Sequence, residues 1–317
     1  MVVIGAGAVG SYYGALLARA GHTVSLVARG AHRDALARSG TIRVREADGA
    51  DWDARVSPRF PDAPADLAIV TTKSHHSADA ARELRAHMGP STLVLSLQNG
   101  VENPAVIRDA LGGHPVLAGI AFVGLRIETP GEVRHEAEGW VRAGDPAGGI
   151  TDASARLRDT VGDAWTLEIS DDIVRAQWFK LLWNIGFNAM CAITGATAGE
   201  TLATAGSRAL VREAMREAVA LAGAHGVTLT GDDVETMARY NPQLRDYRPS
   251  TAQDIAAGKP AERDALTGFV VRAGTRVGVD TPVNRVLDGL LVLQQDRATG
   301  RSAQQLAALD AASTHPT

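Results

Sequence analysis

Three polar side chains recur at four-residue intervals within an otherwise apolar stretch of the chain. Lys180, Asn184 and Asn188 lie in the segment Gln177–Gly199, which reads QWFKLLWNIGFNAMCAITGATAG and has helix length without a proline. Residues four apart share one face of a helix, so the ammonium and the two amides should stack there. Most of the other side chains in this segment are apolar, which predicts that the helix is buried on nearly all sides. Because polar burial without partners costs roughly a few kcal/mol per group, these groups either bond to backbone and other side chains or line a polar pocket that holds a ligand.

A second chemical pattern is the glycine-rich segment near the start of the chain. After a short apolar run come Gly5, Gly7 and Gly10, spaced G-x-G-x-x-G, and then a helical pattern and a second strand, TVSLVAR. In a βαβ unit these glycines permit the tight turn, the approach of the backbone to a pyrophosphate, and close packing of helix on strand. The N–H groups of the first helical turn, at Ala8 and Val9, would then face the phosphates. The pattern predicts a dinucleotide site.

The residue that ends the second predicted strand distinguishes between cofactors. An NAD site usually places Asp or Glu about 20 residues after the glycines, where it binds the ribose 2′-OH. This chain has Arg29 there, followed by His32 and Arg33, and its first acid is Asp34. Because a guanidinium can bind a 2′-phosphate through two hydrogen bonds, we expect NADP(H). A solvated loop arginine is the alternative.

Two more candidates follow predicted strands. The strand DLAIVTTK ends in Lys73, and STLVLSLQNG ends in Gln98, Asn99 and Gly100. In a doubly wound sheet, ligands bind outside the carboxyl ends of the strands. Lys73 and Asn99 are therefore candidate site residues, although each alone could equally be a turn residue.

The order of the patterns predicts two domains. Strand patterns continue to Ser170, with Thr129–Pro130–Gly131 as the type II turn of a hairpin. The remainder is helical in pattern, including a long helix over 262–277. We therefore predict an α/β fold in which an N-terminal Rossmann-type dinucleotide-binding domain, residues 1–170, is followed by an all-α C-terminal domain, residues 171–317.

Composition excludes several classes of protein. The 317 residues are 45% hydrophobic and 21% charged with a net charge of -4, which indicates a globular chain without affinity for nucleic acid or an anionic membrane. No apolar run approaches the roughly 20 residues of a membrane span. No Cys/His cluster has the spacing of metal ligands, so we expect no metal. The single cysteine, Cys191, fits a reducing cytoplasm and a packing role.

Taken in chain order, these motifs resemble the ketopantoate reductase (2-dehydropantoate 2-reductase) family over nearly the whole chain. The resemblance rests on the glycine turn, Lys73, QNG at 98–100, KLLWNIGFNA from Lys180 and PSTAQDIAAGKPAE from Pro249. It implies a cytoplasmic, NADPH-dependent oxidoreductase of pantothenate biosynthesis that reduces a 2-oxo acid, 2-dehydropantoate, to (R)-pantoate. It leaves a homodimer open as its assembly.

The family pattern also implies roles for residues of the helical half. The family's catalytic lysine lies in K-x-x-x-N-x-x-x-N, which puts the general acid at Lys180 and substrate-binding amides at Asn184 and Asn188. The family's substrate glutamate follows a Ser-x-x-x-Asp segment, which implies Glu262 as that residue and Ser250 as a further substrate contact.

The resemblance likewise implies which residues contact the cofactor: Gly5, Gly7, Ala8, Val9, Gly10, Arg29, Lys73 and Asn99. Of these, Asn99 would lie near both the nicotinamide and the substrate. Bulky Trp183 and Phe187 beside the amide face leave open an NADP-dependent reductase of another 2-oxo acid or of an opine-type imine. A non-catalytic NADP(H) sensor is a third reading, and it predicts that the general acid has been lost.

Overall fold

One mixed sheet contains every strand that the computed structural model describes within residues 1–313. The strands are β1 (Val2–Ile4), β2 (Ser25–Val27), β3 (Thr41–Glu46), β4 (Trp52–Arg55), β5 (Ala65–Val70), β6 (Met88–Ser96), β7 (Leu117–Thr129), β8 (Glu132–Gly144) and β9 (Leu167–Ile169). Their order is β2-β1-β5-β6-β7-β8-β3-β4, and β9 also pairs with β8. The pairs β7/β8 and β3/β4 are antiparallel and the others are parallel. The predicted hairpin is therefore present as β7 and β8.

Alternate residues of the central strands enter two different cores. Val3 and Ile69 belong to a core on one face, together with Tyr13, whereas Val2 and Val70 belong to a core on the other face. This alternation follows from the two-residue period of a strand. Because both faces are covered, the strands read as continuous apolar runs, which is typical of parallel sheets.

Five helices accompany this sheet. They are α1 (Ala8–Arg19), α2 (Gly30–Ser39), α3 (Ser77–Leu84), α4 (Asn103–Ala110) and α5 (Asp152–Val161). Helix α1 packs on the first core, and α3 and α4 pack on the second. The helices thus fix the strand ends at which the predicted cofactor residues lie.

From residue 170 to residue 313 the structure contains helices, turns and loops and no strand. The helices are α6 (Ile173–Trp183), α7 (Ala189–Thr194), α8 (Ala198–Ala203), α9 (Ala205–Ala224), α10 (Gly231–Met237), α11 (Ser250–Ala256), α12 (Thr267–Val277), α13 (Pro282–Ala298) and α14 (Arg301–Ser313). This confirms the predicted fold class. By internal contacts the chain divides into two units, Met1–Gln177 and Trp178–Thr317, and the division falls inside α6. None of the described helices is both long and apolar enough to cross a membrane.

The predicted helix over 262–277 is wrong at its start. Helix α12 begins only at Thr267, and Arg263–Ala265 form a separate 3₁₀ turn. Between them Leu266 has φ -115° and ψ -105°, which no helix accommodates. Asp288 of α13 accepts hydrogen bonds from Arg263 Nη1 (2.6 Å) and from Thr267 Oγ1 (2.8 Å). These long-range bonds hold both sides of the break, and no local pattern could reveal them.

A buried glutamate in α9 has a structural role that the sequence does not indicate. Glu217 accepts hydrogen bonds from the backbone N–H groups of Val283 (2.7 Å) and Asn284 (2.9 Å), and from Asn284 Nδ2 (2.7 Å). The two N–H groups belong to the first turn of α13, where orphan donors and the helix dipole favour an anion. Glu217 therefore joins α9 to α13 and is not a candidate for chemistry.

The glycine turn between β1 and α1 is fixed mainly by packing within the protein. Gly5 has φ +97°, and a Cβ there would lie 2.7 Å from Thr72 Cα. A Cβ on Gly10 would collide with Thr71 Oγ1 and lie 2.7 Å from the Gly5 carbonyl oxygen. At Gly7, in contrast, the nearest atom to a Cβ would be 3.9 Å away. Packing within the protein thus leaves no room for a side chain at the first and third glycines, whereas it does not exclude one at the second.

We expect Gly10→Ala to lower the free energy of unfolding by about 1–3 kcal/mol, because the added methyl group overpacks the contact of α1 with the strands. Gly7→Ala in the same turn is the matched control and should cost at most about 1 kcal/mol, as a substitution at a helix N-cap. Urea denaturation followed by circular dichroism measures both. Equal losses for the two variants would contradict this division of roles.

Candidate active site

The N-terminus of α1 is suited to bind an anion. Gly7 is its N-cap, and Ala8, Val9 and Gly10 form its first turn, whose N–H groups have no intrahelical acceptor. That turn contains no acidic residue, so the positive end of the helix dipole is uncompensated within it. Gly7 is exposed, and a Cβ there would make only an ordinary contact, 3.9 Å from the Gly5 carbonyl oxygen. The turn therefore fits the pyrophosphate of a dinucleotide, as the sequence predicts.

The basic residues after β2 differ in charge and in partners. Arg29, the N-cap of α2, donates from Nη2 to Glu83 Oε1 at 3.1 Å. His32 Nδ1 accepts the Gly131 N–H at 3.1 Å, so Nε2 carries the proton and faces Ser11 Oγ at 3.0 Å. Burial lowers the pKa of His32 below its usual value. His32 is thus a neutral structural link, and Arg29 is the residue suited to bind a phosphate.

Lys73 and Asn99 follow the neighbouring parallel strands β5 and β6, so they emerge at the same edge of the sheet. A buried chain of hydrogen bonds fixes this edge. Gln98 Nε2 donates to Ser77 Oγ (2.8 Å), Ser77 Oγ donates to Asn103 Oδ1 (2.8 Å), and Asn103 Nδ2 donates to the Asn99 carbonyl oxygen (2.6 Å). Ser77 and Asn103 are positioning residues that the sequence does not reveal, because they lie in helices outside any recognisable motif.

Lys180, Asn184 and Asn188 lie in one continuous helical segment, but that segment is not a uniform α-helix. Lys180 is partly buried near the end of α6, and Asn184 and Asn188 are 5% and 3% exposed. The residues Asn184–Asn188 form a π-helical turn that joins α6 to α7. In an α-helix, residues four apart are separated by slightly more than one turn. In a π turn the backbone hydrogen bond joins residues five apart, so residues four apart are separated by slightly less than one turn. Single π turns of this kind occur frequently at functional sites.

Close packing against α9 accompanies the π turn. A Cβ on Gly186 would lie 2.8 Å from Met215 Cε and 3.0 Å from Val211 Cγ1, so the glycine permits this approach. Both contacts come from a helix that follows later in the chain. The predicted regular helix over 177–199 is therefore wrong in its interior, where a π turn packs against α9. It is also wrong at its end, because the helical segment stops at Thr194, before Gly195 with its left-handed backbone.

The second amide has a partner that the sequence analysis did not name. Asn188 Nδ2 donates to Thr251 Oγ1 at 3.2 Å, and Thr251 is 2% exposed. Ser250, the predicted substrate contact, is the first residue of α11 and is exposed. The hydroxyl of Thr251 thus contacts the amide face, and Ser250 is its neighbour in the sequence.

An acidic side chain acts on Lys180 from a distant part of the chain. Glu262 is 7% exposed and lies immediately before the 3₁₀ turn Arg263–Ala265. Burial lowers the pKa of Lys180 from 10.5 to about 8, and the negative charge of Glu262 opposes that fall. The structure thus brings together the predicted general acid and the predicted substrate glutamate. An amine with a pKa near neutrality is suited to proton transfer at physiological pH.

The chain has only three lysines, Lys73, Lys180 and Lys259, so the protonation of Lys180 can be measured directly. In lysine-selective ¹³C-labelled protein, one side-chain signal should titrate near pH 8, and Lys180→Met should remove that signal. Glu262→Gln should lower the pKa of Lys180 further, because it removes the charge that favours the ammonium. If Glu262→Gln leaves the titration unchanged, the two groups are not electrostatically coupled.

Two family models match the chain, one in each half. Residues 1–148 match ketopantoate reductase PanE/ApbA, and residues 172–295 match ketopantoate reductase PanE/ApbA C terminal.

Individual relatives match along nearly the whole length. The crystal structure of a PanE/ApbA family ketopantoate reductase from Ralstonia eutropha JMP134 is 37% identical, covers 94% of this chain and 98% of that one, and has a TM-score of 0.85. The 2-dehydropantoate 2-reductase of Halobacterium salinarum is 32% identical over 93% of this chain and 98% of its own. That of Mesorhizobium japonicum is 28% identical, with coverage of 95% and 98%. With both halves matched and these relatives aligned from end to end, the chain belongs to the ketopantoate reductase family.

Proposed function

We propose that the protein reduces the C2 ketone of 2-dehydropantoate to (R)-pantoate with NADPH, a step of pantothenate biosynthesis. Residues 1–170 would bind the cofactor, and residues 171–317 would supply the substrate and proton-transfer groups. Family membership and the names of the relatives support the reaction. The observation that carries the proposal is the arrangement of the partly buried Lys180, which shares a helical segment with the buried amides of Asn184 and Asn188 and is influenced by the buried Glu262. Burial of this lysine lowers its pKa to about 8.

Lys180 would act as the general acid of the reaction. When bound, NADPH supplies the hydride to C2, and negative charge then develops on the former ketone oxygen. An ammonium beside that oxygen stabilises the charge and donates its proton, so the product is an alcohol. Positioned general acids contribute about 10²–10⁴-fold to rate, most effectively when their pKa is near the working pH. This requirement explains why an ordinary lysine, with its pKa of 10.5, would serve less well.

Glu262 would combine an electrostatic role with a recognition role. Its charge keeps part of the Lys180 population protonated at neutral pH. Its carboxylate could also accept a hydrogen bond from the hydroxyl group of 2-dehydropantoate. A 2-oxo acid without that hydroxyl would leave a buried acceptor unpaired, which discriminates strongly between substrates. Asn184, Asn188 and Ser250 would hold the remaining polar groups.

The cofactor contacts are proposed at the glycine turn, Arg29, Lys73 and Asn99. The exposed backbone of Gly7, which has no side chain, and the N–H groups of the first turn of α1 support pyrophosphate binding. An arginine after β2, where an NAD site usually has an acidic residue, supports NADPH over NADH.

The proposed reaction can be tested by following NADPH absorbance at 340 nm. Activity with 2-dehydropantoate should exceed activity with 2-oxo acids that lack the hydroxyl by about 10⁴-fold or more, as expected when a site is built to pair with that group. Faster turnover of another 2-oxo acid, or of mixtures of an amino acid and a keto acid, would contradict the substrate assignment. A protein that binds NADPH but turns over none of these compounds would be a sensor.

Lys180→Ala should lower kcat by at least about 100-fold, because the developing alkoxide loses its proton donor. The affinity for NADPH should remain nearly unchanged, since the phosphate contacts are assigned to the glycine turn and Arg29. Lys259→Ala, a change at an exposed lysine, serves as the control. Near-normal turnover of Lys180→Ala would show that Lys180 is a paired structural residue.

Arg29→Asp should weaken NADPH binding much more than NADH binding. The substitution replaces a group that attracts the 2′-phosphate with one that repels it, whereas NADH has no charge at that position. Dissociation constants from the quenching of tryptophan fluorescence measure both affinities. Equal losses for the two cofactors would rule out the 2′-phosphate role.

A further inference from the structure

Arg29 is already paired with a carboxylate at the position where a 2′-phosphate would bind. Its Nη2 lies 3.1 Å from Glu83 Oε1, and the two side chains are 65% and 48% exposed. Arg29 follows β2, and Glu83 lies in α3, which follows β5. Since β2 and β5 flank β1 in the sheet, the ion pair joins the segments on either side of the strand that leads into the glycine turn.

The other basic residues of this stretch are engaged differently. His32 is neutral and bound between Ser11 and Gly131. Arg33 forms an ion pair with its neighbour Asp34, with Nη2 to Oδ1 at 2.8 Å. Arg29 therefore differs from them in that its carboxylate partner comes from a separate helix.

We infer that Glu83 is a specificity-determining residue, which competes with the cofactor 2′-phosphate for Arg29 and so reduces the preference for NADPH over NADH. This inference rests on the proposed function, because it requires Arg29 to be the 2′-phosphate ligand. To bind that phosphate through two hydrogen bonds, Arg29 must release Glu83 or share a guanidinium nitrogen with it. The freed carboxylate then lies near a dianionic group and repels it. NADH has no phosphate there, so its binding leaves the ion pair intact.

The size of the effect follows from the exposure of the pair. Exposed ion pairs are worth about 0.2–1 kcal/mol, so their release changes a binding constant by at most about five-fold. Glu83→Gln should therefore lower the Kd of NADPH by about two-fold to five-fold at low salt and leave the Kd of NADH unchanged. Because exposed charges are screened by salt, the difference should shrink markedly at about 0.5 M NaCl.

The control variant is Asp79→Asn, which removes the same charge from the same helix. Asp79 pairs with Arg82 within α3, and the side chains of both are about two-thirds exposed. This variant should leave both dissociation constants unchanged if the effect of Glu83 is specific to Arg29. Glu83→Gln in an Arg29→Ala background should change the Kd of NADPH less than it does with Arg29 present. The guanidinium for which Glu83 and the phosphate compete is then gone, and only the screened repulsion between carboxylate and phosphate remains.

The outcomes separate the inference from the proposed function. If Arg29→Ala abolishes the preference for NADPH but Glu83→Gln changes neither cofactor, the inference is overturned and the 2′-phosphate role of Arg29 stands. Equal changes for NADPH and NADH in Glu83→Gln, or an equal effect of Asp79→Asn, also overturn it. If Arg29→Ala leaves the cofactor preference unchanged, the cofactor assignment fails and the inference fails with it.

Discussion

The charge of Lys180, which is partly buried and lies in the field of Glu262, is the constraint on which the candidate chemistry depends. Taking either charge alone out of water costs several kcal/mol, and an opposite charge nearby offsets part of that cost. The two residues are more than 80 positions apart, so tertiary structure must bring them together. The π turn shapes the helix that carries the lysine. The break at Leu266, held by hydrogen bonds to Asp288, leaves Glu262 outside α12.

At the nucleotide end, a different constraint operates on the backbone. Gly5 and Gly10 are required by contacts with the residues that follow β5, so the turn is shaped before any ligand arrives. No close contact requires glycine at position 7, and the absence of a side chain there leaves the first turn of α1 accessible. Preorganised N–H groups bind an anion without having to be ordered first. The buried bonds from Gln98 to Asn103 fix the adjacent strand ends in the same way.

The parts of this structure that could be predicted from the sequence are those encoded by local periodicity. The glycine turn, the hairpin around Pro130 and the change from strands to helices after Ile169 all follow from short-range patterns, and all are present. The π turn, the break at Leu266 and the preference of Asn188 for Thr251 are set by side chains from other helices. Their positions depend on packing between segments that are distant in the sequence, and a single chain read in order carries no signal for that packing.

Two combinations of a basic side chain and a glutamate show how burial changes what the same chemistry can do. They are Arg29 with Glu83, which form an ion pair, and Lys180 with Glu262, whose charge acts on the lysine. Each includes a residue that is expected to contact a ligand. Between Arg29 and Glu83 water screens the charges, so the pair is weak, exchangeable and able to adjust affinity only by small factors. At Lys180 the loss of water is the dominant influence, and it lowers the pKa to about 8. There the charge of Glu262 sets how much of the amine carries a proton at neutral pH. An exposed pair of charges can therefore change a binding constant only by a small factor, whereas the removal of water can bring the pKa of an amine into the range that suits proton transfer.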